Sequence, residues 1–266
     1  MTSFSALLAG IRADADANTY HATIPEDWQQ GRTTFGGLSA ALCLAATERA
    51  VPELPPLRSA QFTFVGPAGG AVEIKPRVLR RGKSSVFAAV ELSTEGGLAT
   101  QATLSFAAAR ESQYSYRSRP MPPAPPPGTT AQVFRSGKPK YTQHFEEFAA
   151  GGHKIVSSAA TPEIVLWLRH RDPQAMKCLP GLIALADTPP VAAFTMLSAP
   201  VPVSTITWSV EIVDAAAALR APGDEWYLLS TVGEDVREGY SVQDMVVWAQ
   251  DGTLIMLSRQ TVAIFG

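Results

Sequence analysis

The chain of 266 residues is long enough for one large domain or two small ones, either with a substantial core. Its 22 Lys and Arg against 24 Asp and Glu leave a formal charge of -2, which gives nucleic acid and anionic membranes no bulk attraction. Cys43 and Cys178 make neither a disulfide framework nor a metal cluster, and the 4 histidines lack ligand spacing, so neither metal nor cofactor is expected.

In chain order, the N-terminal MTSFSALLAGIRADAD has no basic region and turns acidic at once, unlike a signal peptide. No apolar run reaches the eighteen or so residues of a membrane span, and the expectation is a soluble, cytoplasmic protein without membrane contact. FGGLSAALCLAATERA (35–50) reads as an Ala/Leu-rich helix, followed by the strand LRSAQFTFV. LRRGKS then marks a hairpin tip carrying Arg80, Arg81 and Lys83. SVFAAVELSTEGGLATQATLSFAAA (85–109) reads as two long strands joined at Glu95-Gly96, a strong hairpin signal. From 113 to 139 six prolines fall within eight positions, which excludes regular structure and predicts an extended connector.

Beyond the connector the plan repeats. PGLIALADTPPVAAFTML (180–197) stands as the second helical element, VSTITWSVEIV as the following strand, and SVQDMVVWAQDGTLIMLSRQTVAIF (241–265) as a hairpin turning at Asp251-Gly252. This last segment lies without gaps over 85–109. One helix and an antiparallel meander, twice, is an α+β plan in which each sheet wraps a helix. The expected division is an N-terminal unit over 1–112, a connector over 113–140 and a C-terminal unit over 141–266.

GRTTFGGLSAALCLAA, LRRGKSSVFAAVEL, STITWS and DGTLIMLSRQ together resemble the bacterial acyl-CoA thioesterase II type, a double hotdog family. The resemblance spans nearly the whole chain. It implies two tandem helix-wrapped antiparallel sheets joined into one, hydrolysis of acyl-CoA, and a homo-oligomer of at least a dimer. Carried over by position, the family's catalytic Asp falls on Asp187, its hydroxyl on Thr205 and its amide on Gln260. The family's Asp-His pair after the hydroxyl residue is here Thr207-Trp208.

Strand alternation places Gln260 with Leu254, Met256, Ser258 and Val262 on one face, where a buried amide needs partners. Asp187 and Thr205 would supply them, and the three would hold a water for attack on a thioester, whose thiolate leaves without a covalent nucleophile or metal. Gly36 and Gly37 would admit close approach of substrate, and Arg80, Arg81 and Lys83 would meet the coenzyme A phosphates, although a solvated hairpin tip explains these cations as well. In the first copy Cys43, Ser59 and Leu104 lie opposite Asp187, Thr205 and Gln260, leaving that copy without acid or amide. Two competing roles remain: Asp187 before Thr-Pro-Pro as the N-cap of a new helix, and the whole chain as a non-catalytic hotdog protein that binds acyl chains or acyl-CoA.

Overall fold

The computed structural model describes residues 1–15, 18–130, 139–220 and 225–266; residues 131–138 of the expected connector lie outside them. The chain opens with α1 (Phe4–Ala9), capped by Ser3, whose Oγ accepts from the Ala6 N–H. Next come β1 (Arg12–Ala13), β2 (Tyr20–Ile24) and a short ladder of β3 (Gln29–Gln30) with β4 (Thr33–Thr34). The first half continues with α2 (Gly36–Ala50), β5 (Leu57–Phe64), β6 (Gly70–Arg81), β7 (Ser85–Thr94) and β8 (Gly97–Ala107). The second half holds β9 (Phe145–Gly152), β10 (Glu163–His170), α3 (Leu179–Ala186), β11 (Val203–Ile212), α4 (Ala215–Arg220), β12 (Tyr227–Arg237), β13 (Tyr240–Ala249) and β14 (Leu254–Ile264).

Twelve strands form one antiparallel sheet in the order β1-β2-β6-β7-β8-β5-β11-β14-β13-β12-β10-β9. Outward from the central β5–β11 pair the two sides read alike: β5, β8, β7, β6, β2 on one, β11, β14, β13, β12, β10 on the other. Thr207 faces Thr63 and Glu211 faces Ser59 across that junction, so the halves share backbone hydrogen bonds and one continuous sheet.

α2 is buried without interruption from Gly37 to Thr47. Its run of Ala and Leu suits this position, because a helix covered on every side needs apolar residues all round and small ones where neighbours approach. It packs on α3 and on β6, β7 and β8. α3 is apolar throughout and fully buried, and its start is tied down by the His170 Nε2–H, which donates to the Gly181 carbonyl over 2.9 Å. That donation fixes the neutral tautomer, and burial pushes the His170 pKa down to about 4.

The second helical element is shorter than the expected 180–197. α3 ends at Ala186 and a separate 3-10 turn covers Ala192–Thr195. Pro189 and Pro190 cause the break, since neither offers an N–H and each pushes its predecessor out of the helical region. The first hairpin turns at Glu95-Gly96 as expected, with Gly97 at φ 108. The second takes a longer loop, Gln250 to Thr253, in which Gly252 has φ 88 and Asp251 Oδ1 accepts from the Thr253 N–H at 2.8 Å.

Val165, Trp167, Val246 and Trp248 form a second apolar layer on the side of the sheet away from the helices. The described part of the connector lies on it. Met121 and Ala124 pack against this layer, Trp167 Nε1–H donates to the Pro125 carbonyl at 2.7 Å, and Trp248 Nε1–H donates to the Arg119 carbonyl at 3.0 Å.

Candidate active site

Asp187 is the residue on which α3 stops, with φ -89 and ψ 2. The N-cap role therefore falls away: the following 3-10 turn starts from Val191 and has no side-chain cap. Instead the carboxyl reaches the N-terminus of α2, where the Gly37 N–H donates to it. α2 has Phe35 in the cap position with no side-chain cap bond, so a carboxylate from the other half takes over that duty at the positive end of the helix dipole.

The two glycines are required by this approach. A Cβ on Gly37 would lie 2.8 Å from the Asp187 Cβ and 3.0 Å from the Ala184 carbonyl oxygen, and one on Gly36 would lie 3.0 Å from Asp187 Oδ2 and 3.2 Å from Phe64 Cζ. Gly36 and Gly37 thus border the Asp187 carboxyl directly.

Gln260 Nε2–H donates to Asp187 Oδ1 at 2.5 Å. The sheet extends this contact into a relay. Gln243 Nε2–H donates to Gln260 Oε1 at 2.9 Å, and Gln243 Oε1 accepts from the Ala192 N–H at 2.9 Å. Both glutamines are buried, at 1% and 3% exposure for Gln243 and Gln260. They sit in one cross-strand row, Phe62–Trp208–Gln260–Gln243, running over β5, β11, β14 and β13. Trp208 is buried against Phe62, ring centroids 5.5 Å apart, and its Nε1 is buried with no hydrogen-bond partner.

Asp187 keeps some accessibility as a residue, but its carboxyl is surrounded by protein, and desolvation raises the pKa from 3.8 to about 7. The Gln260 amide and the Gly37 N–H favour the ionised form without cancelling that effect. No ionised side chain figures among the influences on it.

Thr205 is partly buried and opposes Val262 at a bulge between Thr205 and Thr207. Val262 lies two residues from Gln260, so the Thr205 side chain shares the Gln260 face of the sheet. Among the described residues no hydrogen bond joins its hydroxyl to Asp187 or Gln260. Arg80, Arg81 and Lys83 are not brought to the carboxyl within one chain. Phe64, beside Gly36, aligns through Thr100 and Leu92 with Ile74, whereas Arg81 aligns through Val86 and Phe106 with Leu57. Seven residues of strand, roughly 23 Å, separate the two ends. Arg81 donates to the Pro52 carbonyl at 3.0 Å.

The first-copy positions carry no comparable chemistry. Cys43 and Leu104 are fully buried in the main core, and burial pushes the Cys43 thiol up to about 12. Two concavities lie away from Asp187. One, of about 300 Å³, is lined by Phe4, Trp28, His144 and His170, and the other, of about 490 Å³, by Arg12, His21 and Glu73.

Gln243 escaped the sequence reading although its signal is present. A hairpin centred on Asp251-Gly252 already pairs residue 243 with 260, as observed.

Two helices embraced by repeated half-sheets that merge into one sheet make this a double hotdog protein. Residues 24–107 match the family model of the acyl-CoA thioesterase N-terminal domain, and residues 117–264 match that of the acyl-CoA thioesterase C-terminal domain. The chain belongs to the acyl-CoA thioesterase family. Its fold is similar to that of a conserved hotdog protein of unknown function from Alicyclobacillus acidocaldarius, with 24% identity, a TM-score of 0.87 and coverage of 98% of this chain and 97% of that one. It is similar in fold to a Thermobifida fusca protein assigned as a thioesterase II, at 19% identity and TM-score 0.82, covering 100% and 98% of the two chains. The fold of an acyl-CoA thioesterase II from Mycobacterium marinum is also similar, at 18% identity, TM-score 0.76 and coverage of 97% and 96%. No curated protein matches the sequence.

Proposed function

We propose that the protein hydrolyses fatty acyl-CoA to free acid and coenzyme A, with Asp187 as the general base. The observation that carries this reading is the Asp187 carboxyl held by Gln260 Nε2 at 2.5 Å and by the Gly37 N–H, with its pKa raised to about 7. A base poised near the working pH combines a useful ionised fraction with real proton affinity.

In the proposed reaction Asp187 takes a proton from water as its oxygen attacks the thioester carbonyl. The tetrahedral intermediate then expels the thiolate, and the carboxyl returns its proton to the sulfur. Gln260 orients the carboxylate and Thr205 supplies a hydroxyl to the water from the same sheet face. The positive end of α2 faces the charge that develops on the carbonyl oxygen. Gly36 and Gly37 leave room for the acyl group to come close. Arg80, Arg81 and Lys83, at the remote end of the first half-sheet, would meet the coenzyme A phosphates.

The unit boundaries 1–112, 113–140 and 141–266 belong to the same reading, supported by the lack of a strand or helix from 108 to 130. So does a homo-oligomer, supported by the exposed Val78, Leu79 and Phe87 on β6 and β7. The test is the release of free thiol from acyl-CoAs of graded length by purified protein. Steady turnover that disappears in Asp187→Asn is expected; tight acyl-CoA binding without thiol release would mean a binding protein instead.

A further inference from the structure

We propose that Gln243 is a positioning residue for this site: it dictates which end of the Gln260 amide meets Asp187. The inference rests on Asp187 being the base, and it adds a residue that the family-derived trio does not contain.

The argument is one of donors and acceptors. A glutamine side chain has a carbonyl end that only accepts and an NH₂ end that only donates. A backbone N–H can only donate, so the Ala192 N–H requires Oε1 of Gln243 on its side, at 2.9 Å. That leaves Nε2 of Gln243 facing Gln260, which must answer with Oε1, at 2.9 Å. Gln260 is then obliged to present Nε2 to Asp187. Burial of both amides removes water as a substitute partner. One backbone N–H, whose polarity cannot change, thereby sets the direction of the whole relay.

The relay also closes on itself. Ala192 opens the 3-10 turn five residues after Asp187, so the same segment supplies the first donor and the last acceptor. Gln243 and Gln260 span the gap from adjacent strands, fixed opposite each other by the ladder.

Without Gln243 the Gln260 amide is free to turn. Its Oε1 then faces the carboxyl, and two acceptors meet unless Asp187 holds a proton. Removal of Gln243 should therefore strengthen proton binding at Asp187 and move the base form to higher pH. The other groups around the carboxyl cannot produce that change. From α2 it meets the Gly37 N–H, and on its own segment the Tyr141 hydroxyl donates to the Thr188 carbonyl. On β13 and β14 the charged pair Asp244 and Arg259 occupies alternate positions on the other face, joined to each other at 2.6 Å. Gln243 Nε2 also lies 3.8 Å from the thioether sulfur of Met245.

The test is Gln243→Met, close in volume and unable to make either amide contact, with Gln243→Leu as the second variant. The pH dependence of kcat and KM is measured beside a ¹³C NMR titration of the Asp187 carboxyl, which needs no turnover. The acid limb of kcat and the NMR midpoint should both move up by about one pH unit, with a tenfold loss of kcat near pH 6, KM within twofold of wild type, and most of the rate recovered near pH 9. A uniform loss at every pH with an unmoved NMR midpoint would reduce Gln243 to a packing residue and overturn the proposal. Should neither variant fold, the wild-type side-chain NH₂ protons of Gln243 and Gln260 decide: slow solvent exchange of both is expected, and fast exchange of the Gln243 pair overturns the relay. If Asp187→Asn retains full turnover, the base assignment fails, while the NMR titration still reads the Gln243 effect separately.

Discussion

The Asp187 carboxyl, at the end of the second half's helix, accepts from the backbone N–H of Gly37, at the start of the first half's helix. The contact makes the site a property of the whole chain, since the carboxyl, its amide partner Gln260 and the glycines that admit it come from both sides of the central β5–β11 pair. It also sets the chemistry. One helix loses its cap to the other half, and the carboxyl doing the capping becomes buried enough to titrate near pH 7.

Asp187→Asn preserves shape and removes the proton acceptor. Turnover should fall by roughly two to four orders of magnitude, and the wild-type rate should rise with pH through a midpoint near 7 that the variant lacks. Stability gives an independent check. The folded carboxyl holds its proton up to about 7 while the unfolded one releases it near 3.8, so this group favours folding at low pH and loses that contribution as pH rises through 7. The Tm of Asp187→Asn relative to wild type should therefore increase between pH 5 and pH 8. A constant difference across that range would mean the carboxyl is not buried as described.

Gly37→Ala tests the close approach. The added methyl would sit 2.5 Å from the Phe35 ring and 2.8 Å from the Asp187 Cβ, both too near. We expect a loss of about 1–3 kcal/mol in unfolding free energy, as for an overpacked core, and a fall in kcat larger than any change in KM. Urea unfolding with steady-state kinetics on one preparation reads both. An alanine variant of wild-type stability and rate would show that α2 and Asp187 are not in contact.

Much of the fold is legible in the sequence because it depends on local rules. The α2 run, the Glu95-Gly96 turn and the repeated hairpins each follow from composition within a few residues. The α3 segment shows where such rules stop. Its apolar pattern continues past Asp187, yet two prolines end the helix, and only the packing of α3 against α2 reveals that Asp187 caps the N-terminus of α2. At the site, Asp187 is conspicuous as a carboxyl at the end of an apolar run, whereas Gln260 comes from the family resemblance, with strand alternation placing it on an inward face. Gln243 lies between Ser241 and Asp244, where an amide draws no notice, and its role arises from Ala192, whose contribution is a backbone N–H that no side-chain pattern encodes. The long ladder between Arg81 and Phe64 was likewise hidden, being set by the register of four strands.

The two copies should respond differently to mutation. Thr205→Val and Gln260→Leu are expected to lower turnover, and each should cost less when added to Asp187→Asn than alone, because groups that position one water act as a unit. Cys43→Ala and Ser59→Ala should leave turnover within a few-fold, as their half lacks the acid, and the Cys43 thiol, pushed up to about 12, should resist alkylation in the native protein. Strictly additive losses across Asp187, Thr205 and Gln260 would place these residues in separate roles.

The connector supplies the last prediction. Its described part is a proline-rich stretch with no strand or helix, yet it covers apolar surface on the second half-sheet and is held there by two indole N–H groups. Trp248→Phe keeps most of the ring and removes the donor to the Arg119 carbonyl, so the loss should be that of one hydrogen bond, about 1 kcal/mol. Trp167→Phe should do the same at Pro125. The bonds lie on the face away from Asp187, so kcat should hold in both single variants. The double variant frees two anchors only a few residues apart along the connector, and the segment from 113 to 125 should then lift from Met121 and Ala124 contacts and become cleavable. Limited proteolysis with trypsin, which has the Arg117–Ser118 bond as its target there, since proline after Arg119 blocks the enzyme, measures this directly. Faster cleavage after Arg117 with unchanged thiol release is the expected result; cleavage at the wild-type rate would mean that packing of Met121 and Ala124, not the indoles, holds the connector down.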